Sequence, residues 1–422
     1  MKIVILGLSV TSSWGNGHAT TYRSLIHGLA ARGHQILFLE RDVPWYAGNR
    51  DQPYMRDAGI ELYFGLEDLA SRFERSVRTA DLVIVGSFVP EGAAVGRWAI
   101  STARGVTAFY DIDTPVTLAK LESGDHDYLS PDLVSQYDLY LSFTGGPTPR
   151  HIERRYGSPM ARVLYCSVLP QIYCPEKRPY RWDLGYLGTY SSDRQPVLER
   201  LLLEPAREWR RGRFNVTGPL YPDTIRWPRN VTRTVHLEPP LHRAFYASQR
   251  FTLNVTRELM VEAGYAPSVR LFEAGACGVP VVSDYWEGLE TLFEPGKEIL
   301  IAESAEDTLR YLRDLPEQKG RTIGARARAR VMAEHTPERR AAQLESYFQE
   351  ARANRQDYVL TASTRANGNR KYPRRTAAGG AAGATPGEIP SNGSLKQQPS
   401  GAGQGTGRPP RPAAPAARER CG

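Results

Sequence analysis

Ser268-Val-Arg-Leu-Phe-Glu-Ala-Gly-Ala-Cys-Gly-Val-Pro-Val-Val-Ser-Asp284 holds a helix start, an inward carboxylate, a small-residue turn and a buried strand in one run. Pro267 followed by Ser268 marks a helix N-terminus, with Ser268 as its cap. Unpaired backbone N–H groups and the dipole at such a terminus favour an anion, phosphate above all. Arg270, in the first turn, adds a charge able to bind in bidentate fashion. Glu273 follows about one turn later, on a neighbouring face. Gly275, Ala276 and Gly278 keep the helix end slim, and Val279–Val282 reads as a fully buried parallel strand. Phosphate-binding elements beside a carboxylate that can hold sugar hydroxyls suggest a nucleotide-sugar site.

Working outward, strand and helix patterns alternate. Lys2–Gly7, Gln35–Glu40, Ile60–Phe64, Asp81–Phe88 and Val106–Tyr110 read as strands, with a helix over Ala19–Arg32 that stops at Gly33. A second series follows: Leu184–Leu187, Phe214–Thr217, Thr234–Leu237, Phe251–Val255, Pro280–Ser283 and Glu298–Ala302, then helices over Thr322–Glu334 and Glu338–Ala353. Such alternation predicts an α/β protein of two doubly wound, Rossmann-like domains. The expected boundaries are 1–168, a Pro-rich linker at 169–180, a second domain at 181–335, a terminal helix at 336–354 and a tail from 355.

The net charge of +8 belongs to that tail. Residues 355–422 hold eleven Lys/Arg and three Asp/Glu, so residues 1–354 are formally neutral. A neutral body argues against specific nucleic-acid binding. The Ala/Gly/Pro-rich tail lacks apolar periodicity, which predicts disorder with weak, salt-sensitive contact to anionic surfaces. Four cysteines without metal-ligand spacing fit a reducing, cytoplasmic setting, with Cys277 as a packed thiol. The apolar N-terminal run is too short for a signal peptide or a membrane span.

Further candidates lie where strands end. Gly7–His18 follows the first strand, yet Gly15-Asn-Gly17 lacks the third glycine of a dinucleotide fingerprint, Thr20 standing there. His18 opens onto the expected cleft, either as a loop hydrogen-bonding group or as a general base. Asp111-Ile-Asp113 offers paired carboxylates for acceptor contact or structural hydrogen bonds, in preference to a metal. Arg257 ends a buried strand, where it can clamp a diphosphate or join a surface ion pair. Gly188-Thr-Tyr-Ser-Ser-Asp-Arg194 leads from a strand to a helix start, as either an ordinary loop or a phosphate-binding one. Trp286 reads as a packed aromatic.

The run 268–284 resembles the donor-binding segment of GT-B glycosyltransferases, the group that includes glycosyltransferase family 4. With Ser12–Thr20, Tyr110–Val116 and Ser268–Gly288, the chain is similar to the CgeB-like (spore-maturation protein) branch of bacterial glycosyltransferases. The resemblance covers residues 1 to about 350. It implies a metal-independent transferase with its active site in the interdomain cleft. The donor, a UDP- or GDP-sugar, would meet Gly188, Thr189, Arg194, Arg257, Ser268, Arg270 and Glu273, with backbone amides of Gly188, Thr189 and Tyr190 on the diphosphate. An acceptor hydroxyl on a glycan, lipid or small molecule would meet Ser13, Asn16 and Asp111, with His18 and Asp113 catalytic. Many family 4 enzymes carry two glutamates separated by seven residues; Glu273 matches the second, but Tyr265 stands at the first, so retention is not implied. A nucleotide-sugar 2-epimerase and a non-catalytic coat-type protein that binds a sugar nucleotide share the same architecture.

Overall fold

The computed structural model describes residues 1–15 and 17–368, with side chains as far as residue 356. Seven parallel strands form the first sheet: β1 (Lys2–Gly7), β2 (Gln35–Arg41), β3 (Gly59–Tyr63), β4 (Leu82–Gly86), β5 (Val106–Asp111), β6 (Leu139–Ser142) and β7 (Ala161–Val163). Their order is β3-β2-β1-β4-β5-β6-β7. Six more form the second: β8 (Trp182–Leu187), β9 (Phe214–Thr217), β10 (Val231–Thr234), β11 (Gln249–Asn254), β12 (Val281–Ser283) and β13 (Leu300–Ile301), in the order β10-β9-β8-β11-β12-β13. Each order reverses once, between β1 and β4 and between β8 and β11. Ligands of open α/β sheets bind at the carboxyl ends of the strands beside such reversals.

β4, β6 and β9 are buried at every position, as strands covered by helices on both faces are; β4 is apolar throughout, whereas β9 also buries Asn215 and Thr217. The expected strand at Thr234–Leu237 is displaced: β10 ends at Thr234, Val235 is 72 % exposed, and His236 and Leu237 wall the cleft described below. Its apolar alternation serves a rim, not a ladder. β6 and β7 have no counterpart among the strands expected from the sequence. Pro115 sits in the first turn of the helix Thr114–Ser123, where a proline needs no N–H partner.

The last helix is Pro337–Gly368, longer than expected. Residues 355–367 contain no proline or glycine to break it. Arg355 lies within this helix and donates to Gly105 O at 2.5 Å and Asp138 Oδ2 at 2.8 Å. The tail beyond residue 368 lies outside the described residues. Glu345 of the same helix takes a bidentate pair from Arg32, 2.7 and 2.6 Å, and contacts His34 at 2.7 Å. Buried Arg340 donates to the carbonyls of Tyr165 and Cys166. Leu344 and Phe348 join an apolar cluster that runs from Ile5 and Ile26 to Phe272 and Trp286. Among the described residues, no helix is long and apolar enough to cross a membrane.

Candidate functional site

The loops after β1, β5, β8, β9 and β11 enclose a cavity of about 490 Å³ between the carboxyl edges of the two sheets. From the first half, Ser13, Gly17, His18 and Asp113 reach it. From the second come Gly188, Thr189, Arg194, Arg257, Ser268, Arg270 and Glu273.

His18 opens the helix His18–Ala31, whose start at Gly17 carries no side-chain cap. Its Nε2 lies 3.2 Å from Asp113 Oδ2, and its buried Nδ1 has no hydrogen-bond partner. Phe88 holds the imidazole edge-on at 5.7 Å. With Nε2–H donating to the carboxylate, Nδ1 keeps its lone pair. Burial alone would raise the Asp113 pKa, but the His18 contact and the charges of Arg257 and Arg194 outweigh it and hold the carboxyl below its usual value. Those two arginines belong to the opposite wall, so the cleft is electrostatically joined across its width.

Asp111 is a correction. It does not reach the cleft; it is fully buried, accepting from Thr117 Oγ1 at 2.6 Å and Tyr140 OH at 2.5 Å. Burial pushes its pKa up to about 6. The strand ends at Asp111 and the chain turns into the Thr114 helix, so the two carboxylates part company and share no site. Asn16 lies outside the described residues.

On the second wall, Arg270 is 8 % exposed and its Nη1 donates to Asn254 Oδ1 at 2.8 Å. Its Nε donates to Leu187 O at 2.5 Å, and its guanidinium lies over the Tyr186 ring. Arg194 Nη2 donates to Thr189 O at 2.7 Å, and Arg257 Nε is 3.6 Å from Asp193. The Nε of Arg194 and of Arg257 are both buried without a hydrogen-bond partner. Arg257 Nε has only the Asp193 carboxylate, at 3.6 Å, beside it, and two cations lining one cavity suit an anion.

Ser268 is the N-cap of the helix Val269–Ala276 by position, yet it does not cap with its side chain. Its hydroxyl donates to Asn254 Oδ1 at 2.7 Å instead, which leaves the helix start uncapped. Two of the three expected amides are likewise spoken for: Gly188 N donates to Thr217 O and Tyr190 N to Pro219 O. The β8 loop thus contributes shape more than donors. A Cβ on Gly188 would lie 2.5 Å from Tyr186 OH and 2.8 Å from Arg270 Nη2, so only glycine lets Arg270 pass.

Glu273 lines the cleft at 5 % exposure, held by Tyr173 OH at 2.8 Å and Tyr246 OH at 2.9 Å, with His242 at 3.8 Å. Burial would raise its pKa; His242 and the two tyrosines outweigh that and keep it low, so it stays ionised. Tyr173, Tyr246, His242 and His236 were not foreseen. They converge from distant chain positions, and only a strand-like alternation at Val235–Leu237 hinted at any of them. Tyr265 does not wall the cleft: its backbone sits at φ 50°, and its carbonyl accepts from Gly145 N and Tyr165 OH. Trp286 is packed at 1 % exposure, and burial raises the Cys277 thiol pKa.

Residues 194–346 match a family model described as glycosyl transferase-like. Among solved structures, sucrose-phosphate synthase from Thermosynechococcus elongatus superposes with a TM-score of 0.61 at 15 % identity, over 83 % of this chain and 98 % of that one. Anabaena HepE in complex with UDP-glucose gives 0.61 at 12 % identity, over 83 % and 100 %. An E. coli structure described as trehalose-6-phosphate bound with UDP-2-fluoro glucose gives 0.57 at 10 % identity, over 82 % and 99 %. The fold is GT-B. No curated protein matches the chain by sequence. In GT-B terms the cavity occupies the cleft between the two Rossmann-like halves, and the family match falls on the half that carries the arginines.

Proposed function

We propose that the protein is a glycosyltransferase that moves a sugar from a nucleotide-sugar donor to an acceptor hydroxyl. The observation that carries this is the set of three arginines, Arg194, Arg257 and Arg270, on one wall of a cleft whose other wall carries the Asp113–His18 pair. The donor lies along the second wall. Arg194, Arg257, Arg270 and the uncapped helix start at Ser268 stabilise the charge that develops on the diphosphate as the glycosidic bond breaks. Glu273 accepts from hydroxyls of the transferred sugar, and Thr189 lies beside the diphosphate. On the first wall, the His18–Asp113 pair takes up the proton of the acceptor hydroxyl, and Ser13 orients the acceptor. No step is assigned to a metal. UDP-sugars are the first donors to try, since neighbours of this fold are described with UDP-glucose and a UDP-fluoroglucose. We place the chain in the CgeB-like branch and in the cytoplasm on the three segments quoted above and its cysteine usage.

The test is a thermal-shift screen of nucleotide sugars followed by a nucleotide-release assay with and without acceptors. A ligand at about 100 times its dissociation constant adds roughly 2.7 kcal/mol, a readable shift. Acceptor-dependent release supports transfer. Release of an altered free sugar without acceptor identifies an epimerase. Binding without any turnover identifies a non-catalytic protein, and no binding by any sugar nucleotide contradicts the reading.

A further inference from the structure

The helix His18–Ala31 presents Thr20, Arg23, Ser24 and His27 along one stripe, at the three- and four-residue spacing of a single face. Such a stripe on a packed helix is ordinarily apolar. Here it is polar, although Arg23 and Ser24 are only 6 % and 1 % exposed. The stripe walls a second cavity of about 300 Å³, closed by Met55, the linker residues Leu169 and Ile172, and Pro239 and Pro240. Thr20 and Pro239 also wall the main cleft, so the two spaces adjoin on the side where His18 sits.

The polar groups around this cavity are matched in pairs. Arg23 grips Asp51 through both Nη atoms at 2.8 and 3.1 Å, and His27 Nδ1 is 2.8 Å from Asp57 Oδ2. Asp51 also accepts from Ser13 N at 2.7 Å, which ties this wall to the loop of the main cleft. The Arg23 hydrogen bond and charge outweigh burial and keep the Asp51 pKa low, so that pair stays ionised. A phosphate entering here would meet a carboxylate in each pair. An acyl chain would take the Arg23–Asp51 ion pair out of water and make no hydrogen bond to it in return. An uncharged polyhydroxylated unit meets neither difficulty: its hydroxyls can exchange with the paired groups, and its C–H faces lie on Met55, Ile172 and the prolines.

We propose that this cavity is an acceptor subsite that takes the sugar unit next to the one bearing the reacting hydroxyl, so that the acceptor is a neutral saccharide of at least two units. The proposal rests on the transferase reading above and goes beyond it by naming the acceptor class. The size of the cavity, at the low end of ligand pockets, suits one sugar ring more than a long chain.

Frontal affinity chromatography over the immobilised full chain, saturated with UDP, tests it with a library of neutral saccharides of one to four units. At least one disaccharide should bind about tenfold more tightly than either of its constituent monosaccharides. Asp57→Asn and His27→Gln, at positions 32 % and 33 % exposed, should fold normally, keep the affinity for UDP and abolish that advantage. If no disaccharide outbinds its monosaccharides, or if the advantage survives both variants, the subsite is wrong. Failure of the wild-type chain to bind UDP is a separate result: the library is then run with the nucleotide found in the donor screen, and failure with every nucleotide overturns the transferase reading itself.

Discussion

The two walls of the cleft are built from the same βα repeat and carry opposite chemistry. The wall from the second sheet supplies Arg194, Arg257 and Arg270. The wall from the first supplies an imidazole and a carboxylate in contact at 3.2 Å. Topology dictates the place, since both sets stand at carboxyl ends of strands beside an order reversal. Side-chain choice dictates the chemistry: one wall carries three guanidinium groups and the other an imidazole beside a carboxylate. The walls are not independent, because the arginines help to keep Asp113 ionised from across the gap.

The largest effect that could break this division lies on the first wall. His18→Gln and Asp113→Asn should each lower kcat by about 100- to 10,000-fold, the range for a positioned acid–base group, while UDP affinity does not fall. Parallel losses of kcat and of UDP affinity would mean that the division fails.

The contrast between Asp111 and Asp113 sharpens the comparison within that wall. Asp111 has a folded-state pKa raised to about 6, so between about pH 4 and pH 6 the unfolded chain loses this proton while the native chain keeps it. The stability contributed by neutral Asp111 is therefore full below about pH 4 and lost as pH rises through about 6. Asp111→Asn removes that slope. Melting curves should show wild type losing on the order of 3 kcal/mol at most relative to the variant between pH 4 and pH 7. A constant difference between the two proteins across that range would contradict the buried placement of Asp111.

A smaller effect is expected at Glu273 on the second wall. Glu273→Gln should weaken donor binding or turnover by about tenfold, roughly 1.4 kcal/mol, with little change in melting temperature. Calorimetry with UDP-glucose and with UDP separates its part in holding the sugar: the loss should appear with the first and be nearly absent with the second. Equal losses would assign Glu273 to the diphosphate or to the structure around Tyr173 and Tyr246.

Much of this architecture is legible in the sequence, because short apolar, β-branched runs such as Leu82–Gly86 alternate with helical stretches, as strands covered on both faces do. What was hidden shares one cause: partners distant in the chain. Asp111 and Asp113 look alike until Tyr140 and Thr117 claim the first. Ser268 reads as a cap until Asn254 takes its hydroxyl, and Gly188 reads as a donor until Thr217 takes its N–H. Val235–Leu237 alternates as a strand should, yet the rim of a cleft asks for exposed apolar and imidazole groups in just that order. No local pattern announces that Tyr173, in the linker, holds Glu273.

The central claim is that the second wall binds a nucleoside diphosphate. Calorimetric titration of UDP and of uridine into wild type, Arg257→Ala and Arg270→Ala tests it most directly. Charge-assisted bonds to phosphate should make each substitution worth roughly 1.5–3 kcal/mol against UDP, about 10- to 150-fold, and nearly nothing against uridine. An arginine engaged only in a surface ion pair such as Arg257–Asp193 would contribute at most about 1 kcal/mol to stability and nothing to binding. Equal losses for UDP and uridine, or no loss for either, would contradict the account.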